Sequence, residues 1–302
     1  TLPGLENVHV IKPAYAVEYD YVPAVQTLHS LMSKNVQGLF FGGQINGTSG
    51  YEEAAAQGLV AGINAVNYIR NQEPMILSRE SSYIGTLIDD LVTKDIDEPY
   101  RMLTSRSEYR LLLRQDNADE RLTEIGYKQG LVGEEQYQRF KTKMQTVEDE
   151  IERFRQTKVP ATTENNEILS KIGEHINEGI RLAELIKRPN VTYDVVKDLD
   201  VDTKNLDFPY EVGEQVEIRL KYDGYIKRQK EQVELSSKAD RIRIPDDIDY
   251  KKIQHISTET KEKLDKIRPT TLGQAARIGG VKPADIAVLS VLIESKAYRN
   301  VD

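Results

Sequence analysis

Two stretches of this sequence carry residue types that can do chemistry. The first is Gly42-Gly43-Gln44-Ile45-Asn46-Gly47-Thr48-Ser49-Gly50. It follows the compact apolar run Gly38-Leu39-Phe40-Phe41, which predicts a strand. It precedes an alanine-rich stretch from Tyr51 to about Arg70, which predicts a helix. Gly42 and Gly43 permit backbone angles and close approaches that a side chain would block. Ser49 is placed to cap the helix, and Glu52, three residues later, completes a capping box. Strand, glycine loop and helix N-terminus together point free amides and the positive helix end at one spot, which suits a phosphate or an anionic ring. The same spacing also describes a tight crossover without a ligand, because no GxGxxG is present.

The second stretch is Arg101-Met102-Leu103-Thr104-Ser105-Arg106-Ser107-Glu108-Tyr109-Arg110-Leu111-Leu112-Leu113-Arg114. Ser105 and Glu108 form a capping box, which predicts a helix over residues 105–115. Arg106, Arg110 and Arg114 then recur every four residues near one face, drifting by ~40° per step. A stripe of guanidinium forks matches successive phosphates. A solvated face with intrahelical ion pairs has the same pattern. Asp89 and Asp90 read as groups that orient Arg101 and Arg110 rather than do chemistry.

Further on, Lys221, Lys227, Arg228 and Lys230 surround Tyr222 and Tyr225 within a long helix predicted over residues 213–236. Tyrosines beside cations can stack on exposed bases while the cations hold phosphates; an amphipathic helix with half-buried tyrosines fits equally. Residues 269–286 read as helix, turn, helix. Thr271 caps with Gln274 as reciprocal partner, Gly279 and Gly280 stop the first helix, and Pro283 opens the second. That second helix has no basic base-reading face, so a docking hairpin fits better than a DNA reader.

The elements that must position these residues change character along the chain. Residues 1–75 read as α/β, with weak alternation over 5–10 and a short helix over 25–34. After Pro74 charged helical periodicity takes over. A helix or helix pair is predicted over 78–93. Tyr137, Phe140, Met144, Val147, Ile151 and Phe154 are spaced 3, 4, 3, 4, 3, a stripe that predicts a long helix at about 134–156 packing in a bundle rather than a coiled-coil dimer. Residues 157–166 are polar and read as a hinge. Short helices are predicted around 168–174, 176–185 and 193–198, an acidic turn at 245–249, and helices over 257–268, 271–278 and 283–296.

The 302 residues suit about two domains at roughly 100–200 residues each. Apolar residues make up 39%, enough for a core, so a disordered chain is excluded. The formal net charge of −8 means that nucleic-acid binding needs a local basic patch. With no cysteine, disulfides, thiolate metal sites and a cysteine nucleophile within this chain are excluded, and 4 histidines leave few options for a metal. No apolar run approaches the ~20 residues of a membrane span. The opening Thr1-Leu2-Pro3-Gly4 is no signal peptide, and a chain that does not begin with Met reads as part of a longer protein.

The segment from Gly42 to Ala54 resembles the C-terminal flavin-binding segment of the MnmG (GidA) family, the tRNA uridine 5-carboxymethylaminomethyl modification enzymes. Tyr83-Ile84-Gly85-Thr86-Leu87-Ile88-Asp89-Asp90-Leu91-Val92-Thr93-Lys94, on through Asn117-Ala118-Asp119, is similar to the same family, as are residues 222–302. The resemblance implies an α/β remnant of a Rossmann-like FAD-binding domain over 1–75, then a mainly α-helical C-terminal region. That region divides into a tRNA-binding part, 76–212, and a terminal module for tRNA and partner docking, 213–302. It implies FAD contact by Gly42, Gly43, Gln44, Ile45, Asn46, Gly47, Tyr51 and Glu52. It implies tRNA contact by Arg101, Arg106, Arg110, Arg114, Lys221, Lys227 and Arg228, with Arg101 and Arg110 near the anticodon arm. Leu272, Ile278, Val281, Ile286 and Leu289 would dock an MnmE-type GTPase.

No catalytic residue and no metal ligand is assigned to this chain. The full enzyme would be a cytoplasmic homodimer using NADH as reductant. The match covers only about the C-terminal half of the family. The GxGxxG unit, most of the NADH region and the family's cysteines are missing. This chain alone would therefore hold FAD weakly or not at all, and be inactive by itself. Three other readings are a non-catalytic RNA-binding scaffold, a folate-dependent tRNA (uracil-5-)methyltransferase, which should lack the helical extension from Tyr137, and a small-molecule flavin or NAD oxidoreductase, which has no use for the arginines.

Overall fold

The computed structural model of the chain describes residues 3–295 apart from positions 17, 95, 97, 206 and 207. The end of the helix expected over 283–296 lies outside the described residues.

The described residues before Tyr51 are irregular apart from two 3-10 turns. The helix expected over 25–34 is instead a single 3-10 turn, Ala24–Gln26, followed by a tight reversal with Leu31 in the left-handed region at φ 66°. Local side chains explain this: Thr27 Oγ1 donates to the Ala24 carbonyl, and Ser33 Oγ accepts from Asn35 and Val36 N–H, in competition with helical bonds. The strand expected at 38–41 is reduced to one antiparallel bridge between Met32 and Phe40. A strand extends only as far as its partner pairs with it, and the partner here is just residues 31–33, joined by Ser33 N–H to the Leu39 carbonyl and Phe41 N–H to the Leu31 carbonyl.

The rest is mostly helical. Helix α1 spans Tyr51–Ile69 and α2 spans Tyr83–Thr93, capped by Ser82 Oγ accepting from Gly85 N–H at 2.9 Å. Leu31 and Val60 pack with Met75, Leu77, Ile88 and Val92, so the core runs across residue 75 and α2 belongs with the segment before it. After an irregular stretch come α3, Ala118–Lys128, and α4, Glu134–Gln156. Tyr127 and Tyr137 stack at 3.9 Å between them. The predicted stripe lies on α4 as expected, and Val147, Ile151 and Phe154 enter a second core.

The polar stretch expected to hinge at 157–166 is instead held by pairing. Strand β1, Lys158–Val159, runs antiparallel to β2, Ile180–Arg181, in a two-stranded sheet, and α5, Thr163–Ser170, starts inside the stretch with Thr162 as its cap. The helix expected over 176–185 is confined to α6, Leu182–Leu185. Helices α7, Tyr193–Leu199, and α8, Val201–Asn205, lead to α9, Tyr210–Arg241, a helix of 32 residues. Helix α9 packs along α4 at its start and against α11 at its end. The terminal bundle holds α10, Thr258–Ile267, α11, Leu272–Arg277, and α12, Pro283–Glu294. Its core includes Val25 from the start of the chain, and Lys34 Nζ donates to the carbonyls of Val25 and Ile267 at 2.8 Å each. Among the described residues no helix is long and apolar enough to cross a membrane.

Candidate cofactor turn and nucleic-acid interface

The glycine segment forms a 3-10 turn, Gly43–Asn46, laid against α1. Gly43 and Gly47 adopt φ of 77° and 82°, left-handed angles that favour glycine. Asn46 Nδ2 donates to Gln57 Oε1 at 2.9 Å and Gln57 Nε2 donates to Thr48 Oγ1 at 2.6 Å, which fastens the turn to the second turn of α1. Val22 N–H bonds the Ile45 carbonyl and Tyr100 N–H bonds the Gly47 carbonyl. The turn is therefore fixed from three sides. Gln44, Ile45 and Ser49 stay exposed, and Tyr51 is 90% exposed. A cleft of about 210 Å³ opens beside it, walled by Tyr19, Tyr21, Gln44, Gly47, Ser49 and Pro99.

The capping box expected from Ser49 and Glu52 does not form. Gly50 is the N-cap and no side chain bonds the first-turn amides there. Ser49 sits one residue too early, because the turn does not end until Gly50. The buried acid of this turn is Glu53, which sequence reasoning passed over. Its Oε1 accepts from Met102 N–H at 2.8 Å and from Arg101 Nε at 3.2 Å. Burial pushes the Glu53 carboxyl up, but the Met102 amide, its own amide and Arg101 outweigh it and hold the group below the usual range.

Residues 105–115 are not a helix, so the proposed stripe of Arg106, Arg110 and Arg114 does not exist. The segment holds a 3-10 turn, Thr104–Arg106, and further turns. Glu108 does not cap it; its carboxylate takes a two-pronged bond from Arg79, Nε to Oε1 at 2.9 Å and Nη2 to Oε2 at 2.8 Å. Arg106 is half-buried with its guanidinium 4.3 Å over the Tyr100 ring. Arg114 is paired with Asp116 at 3.0 Å. Arg101 and Arg110 are the two exposed members of the set.

Asp89 and Asp90 hold arginines, but not those two. Arg79 Nη1 donates to Asp90 Oδ1 at 2.6 Å and Asp89 Oδ2 at 3.1 Å, and Arg277 bonds Asp89 from the terminal bundle. Asp90 also accepts from Tyr100 OH at 2.8 Å and pairs with Lys94. Desolvation and the Asp90 charge raise the Tyr100 hydroxyl well above its ordinary value.

Helix α9 brings a second cationic group to the arginine segment. Gln229 Oε1 accepts from Leu112 N–H at 3.0 Å and its Nε2 donates to the Glu108 carbonyl at 3.3 Å. Next to Gln229, Lys227 and Arg228 are exposed, Arg228 lies 4.8 Å over the Tyr225 ring, and Tyr222 and Tyr225 are exposed with centroids 6.4 Å apart. Lys221 is turned into a pair with Glu217 at 2.9 Å.

The five expected docking residues are core residues. Leu272, Ile278 and Leu289 are buried, and Val281 and Ile286 pack against them. A bundle of three short helices needs its apolar faces for itself. Direct contact through Leu272, Ile278 and Leu289 is excluded by their burial, whereas Val281 and Ile286 keep part of their surface in solvent; the large apolar side chain that α12 exposes is Val291. No cluster of three or more metal-ligating side chains occurs among the described residues.

Residues 1–73 match the family described as Glucose inhibited division protein A. Residues 134–230 match the tRNA modifying enzyme MnmG/GidA C-terminal helical domain, and residues 232–301 match the MnmG/GidA C-terminal helical bundle. A protein of Caldicellulosiruptor saccharolyticus named tRNA uridine 5-carboxymethylaminomethyl modification enzyme MnmG is 51% identical over 292 residues, 96% of this chain and 46% of its own length. Its namesake in Clostridium novyi is 52% identical over 295 residues, 97% of this chain and 46% of that protein. The form II crystal structure of Aquifex aeolicus GidA superposes with a TM-score of 0.79 at 44% identity, covering 96% of this chain and 46% of that one. The chain spans about half the length of the curated relatives it matches. With half of its residues shared across nearly its whole length, and the same fold, the chain belongs to the MnmG/GidA family.

Proposed function

We propose that this chain is the C-terminal part of an FAD-dependent, homodimeric, cytoplasmic tRNA-modifying enzyme. With an MnmE-type GTPase, the whole enzyme adds a carboxymethylaminomethyl group to C5 of the wobble uridine. The chain supplies tRNA binding, partner docking and one flavin-contacting turn. The observation that carries the reading is the bond from Gln229 to the arginine segment. It brings the segment that carries the exposed Arg110 against the part of α9 that carries the exposed Lys227, Arg228, Tyr222 and Tyr225, distant in sequence, in an acidic protein. Cations there hold phosphates, and the tyrosine faces stack on unpaired bases.

The turn residues fit a flavin edge. The α1 N-terminus lacks a side-chain cap and is flanked by a tyrosine-walled cleft, so its amides and dipole favour electron-rich ring atoms. Gln44, Ile45, Gly47 and Tyr51 would hold that edge. Flavin, recharged by NADH, supplies the electrons of the reaction when bound. The part that grips the ADP moiety belongs to the half of the family this chain does not span. The terminal bundle docks the GTPase by its outer surface, where Val291 is exposed and Val281 and Ile286 are partly so, since Leu272, Ile278 and Leu289 are internal.

The test titrates an unmodified tRNA transcript against the chain and against Arg110→Ala and the double variant Lys227→Ala/Arg228→Ala. Weaker binding, with a shallower salt dependence in each variant, is expected. Unchanged affinity in both overturns the tRNA role. In the full-length protein, the visible absorption of bound flavin is expected; its absence favours a non-catalytic RNA-binding scaffold.

A further inference from the structure

We infer that Glu53 is a positioning residue, which fixes the direction in which Arg101 offers its guanidinium to a phosphate of the bound tRNA. Glu53 is 4% exposed, in the first turn of α1, whereas the Arg101 side chain is 62% exposed. The two are 48 residues apart. The bond uses Nε of Arg101, and among the described residues neither Nη is engaged. A guanidinium is planar and rigid. Holding it at Nε by a buried carboxylate therefore sets its plane and turns the Nη pair outward, the edge that grips phosphate oxygens.

The backbone is fixed by the same oxygen. Glu53 Oε1 also accepts from Met102 N–H at 2.8 Å, so the peptide that follows Arg101 cannot drift. Both ends of the side chain are thus referred to α1. Helix α1 in turn carries the glycine turn through Gln57. One acid thereby ties the phosphate-facing fork to the helix whose N-terminus lies at the proposed flavin edge. Such a fork loses less freedom on binding than a free surface arginine.

The inference rests on the reading that Arg101 meets tRNA, and the experiment separates the two. An unmodified tRNA transcript is titrated, across a salt series, against the chain and against Arg101→Ala, Arg101→Lys, Glu53→Gln and Glu53→Gln/Arg101→Ala. Glutamine keeps an oxygen for Met102 N–H but removes the charge that anchors Nε. Arg101→Ala is expected to weaken binding about threefold to tenfold and to reduce the salt slope by about one phosphate contact. Glu53→Gln and Arg101→Lys are expected to weaken it by a comparable factor, and the double variant to be no weaker than Arg101→Ala alone.

If Arg101→Ala binds as the parent does, the tRNA-contact reading falls. If Arg101→Ala weakens binding while Glu53→Gln leaves it unchanged or tightens it, Glu53 is only a competing negative charge and the positioning role falls. A further loss in the double variant beyond Arg101→Ala assigns Glu53 a general structural role and also overturns the inference. Matching far-ultraviolet circular dichroism spectra of the single variants keep the comparison one between folded proteins.

Discussion

Asp89 and Arg277 are 188 residues apart and joined by two hydrogen bonds, Nε to Oδ2 at 2.8 Å and Nη2 to Oδ1 at 3.0 Å. Asp89 lies on the buried helix α2, and Arg277 ends α11 of the terminal bundle. The same carboxylate meets Arg79 Nη1 at 3.1 Å and His29 Nε2 at 3.0 Å, while Arg277 reaches on to Asp240 at the end of α9. One carboxylate thus fastens the bundle to the part of the chain that carries the arginine segment. Together with the Lys34 bonds and Val25, it makes the bundle a fixed neighbour of the first 75 residues.

Removing that carboxylate leaves two guanidiniums short of a partner, Arg79 almost fully buried and Arg277 partly so. Asp89→Ala is expected to cost about 3–5 kcal/mol, the range for breaking a buried ion pair from one side. Arg277→Ala should cost less, because Asp89 keeps Arg79 and His29. Urea unfolding of each variant checks the order. Hydrogen exchange should then quicken first in residues 272–294, whose anchor is lost.

Acid should act through the same group. Burial raises the Asp89 carboxyl, but the His29 and Arg277 bonds and charges hold it well below its ordinary value; Glu108 is lowered too, with Arg79 opposing its desolvation. A carboxyl depressed on folding gives its stabilisation in full above its unfolded value, about 3.9 for Asp. That stabilisation drains away as pH falls from there toward the folded value. Urea midpoints taken from pH 7 to pH 3 should therefore begin to fall near pH 4 for the parent and fall more steeply below it. Asp89→Asn, already without the charge, should start lower and show a flatter curve. Equal slopes refute the assignment.

What the sequence made legible was what is local. The stripe from Tyr137 to Phe154 located α4, because a helical period is written in adjacent turns. Thr271 and Pro283 marked two helix starts for the same reason: Thr271 Oγ1 accepts from Gln274 N–H, and Pro283 opens α12. Several of the failures turn on a partner outside the segment itself. Ser105 and Glu108 spell a capping box, but Arg79, 29 residues away from Glu108, takes the carboxylate and the helix with it. Phe40 reads as strand, and a strand depends on a neighbour. Leu272 and Leu289 read as docking residues because a small core and an interface use the same side chains. Glu53 gave one faint signal, a second acid in a first turn that needs only one, and nothing nearby pointed to Arg101.

The second core contains a contact that glycine alone permits. A Cβ on Gly213 of α9 would lie 2.6 Å from Cδ1 of Tyr193. That ring stands edge-on to Phe154, and its hydroxyl donates to Glu150 Oε1 at 2.8 Å. Gly213→Ala should gain up to about 1 kcal/mol in helix propensity and lose about 1–3 kcal/mol to overpacking, a net loss. Tyr193→Phe keeps the packing and removes one buried hydrogen bond, while Arg153 still satisfies Glu150. It should cost about 1 kcal/mol. The double variant should lose less than the sum, since the phenyl ring has no hydroxyl bond to keep it in place. Thermal unfolding of the four proteins tests this.

Gly50 offers a way to disturb Arg101 without substituting either member of its ion pair. Its φ of −76° suits any residue, so alanine there brings no backbone strain. The added Cβ would fall 1.9 Å from Glu53 Oε2 and 3.1 Å from Arg101 Nε. The near atom is the tip of a flexible side chain, so the carboxylate shifts rather than the helix. Glycine and alanine at an N-cap differ by at most about 1 kcal/mol. Gly50→Ala should therefore unfold within a few degrees of the parent. It should still lose tRNA affinity by the factor found for Glu53→Gln, because the displaced carboxylate no longer holds Nε. A Gly50→Ala protein that binds tRNA like the parent would mean that Arg101 finds its phosphate without help from Glu53.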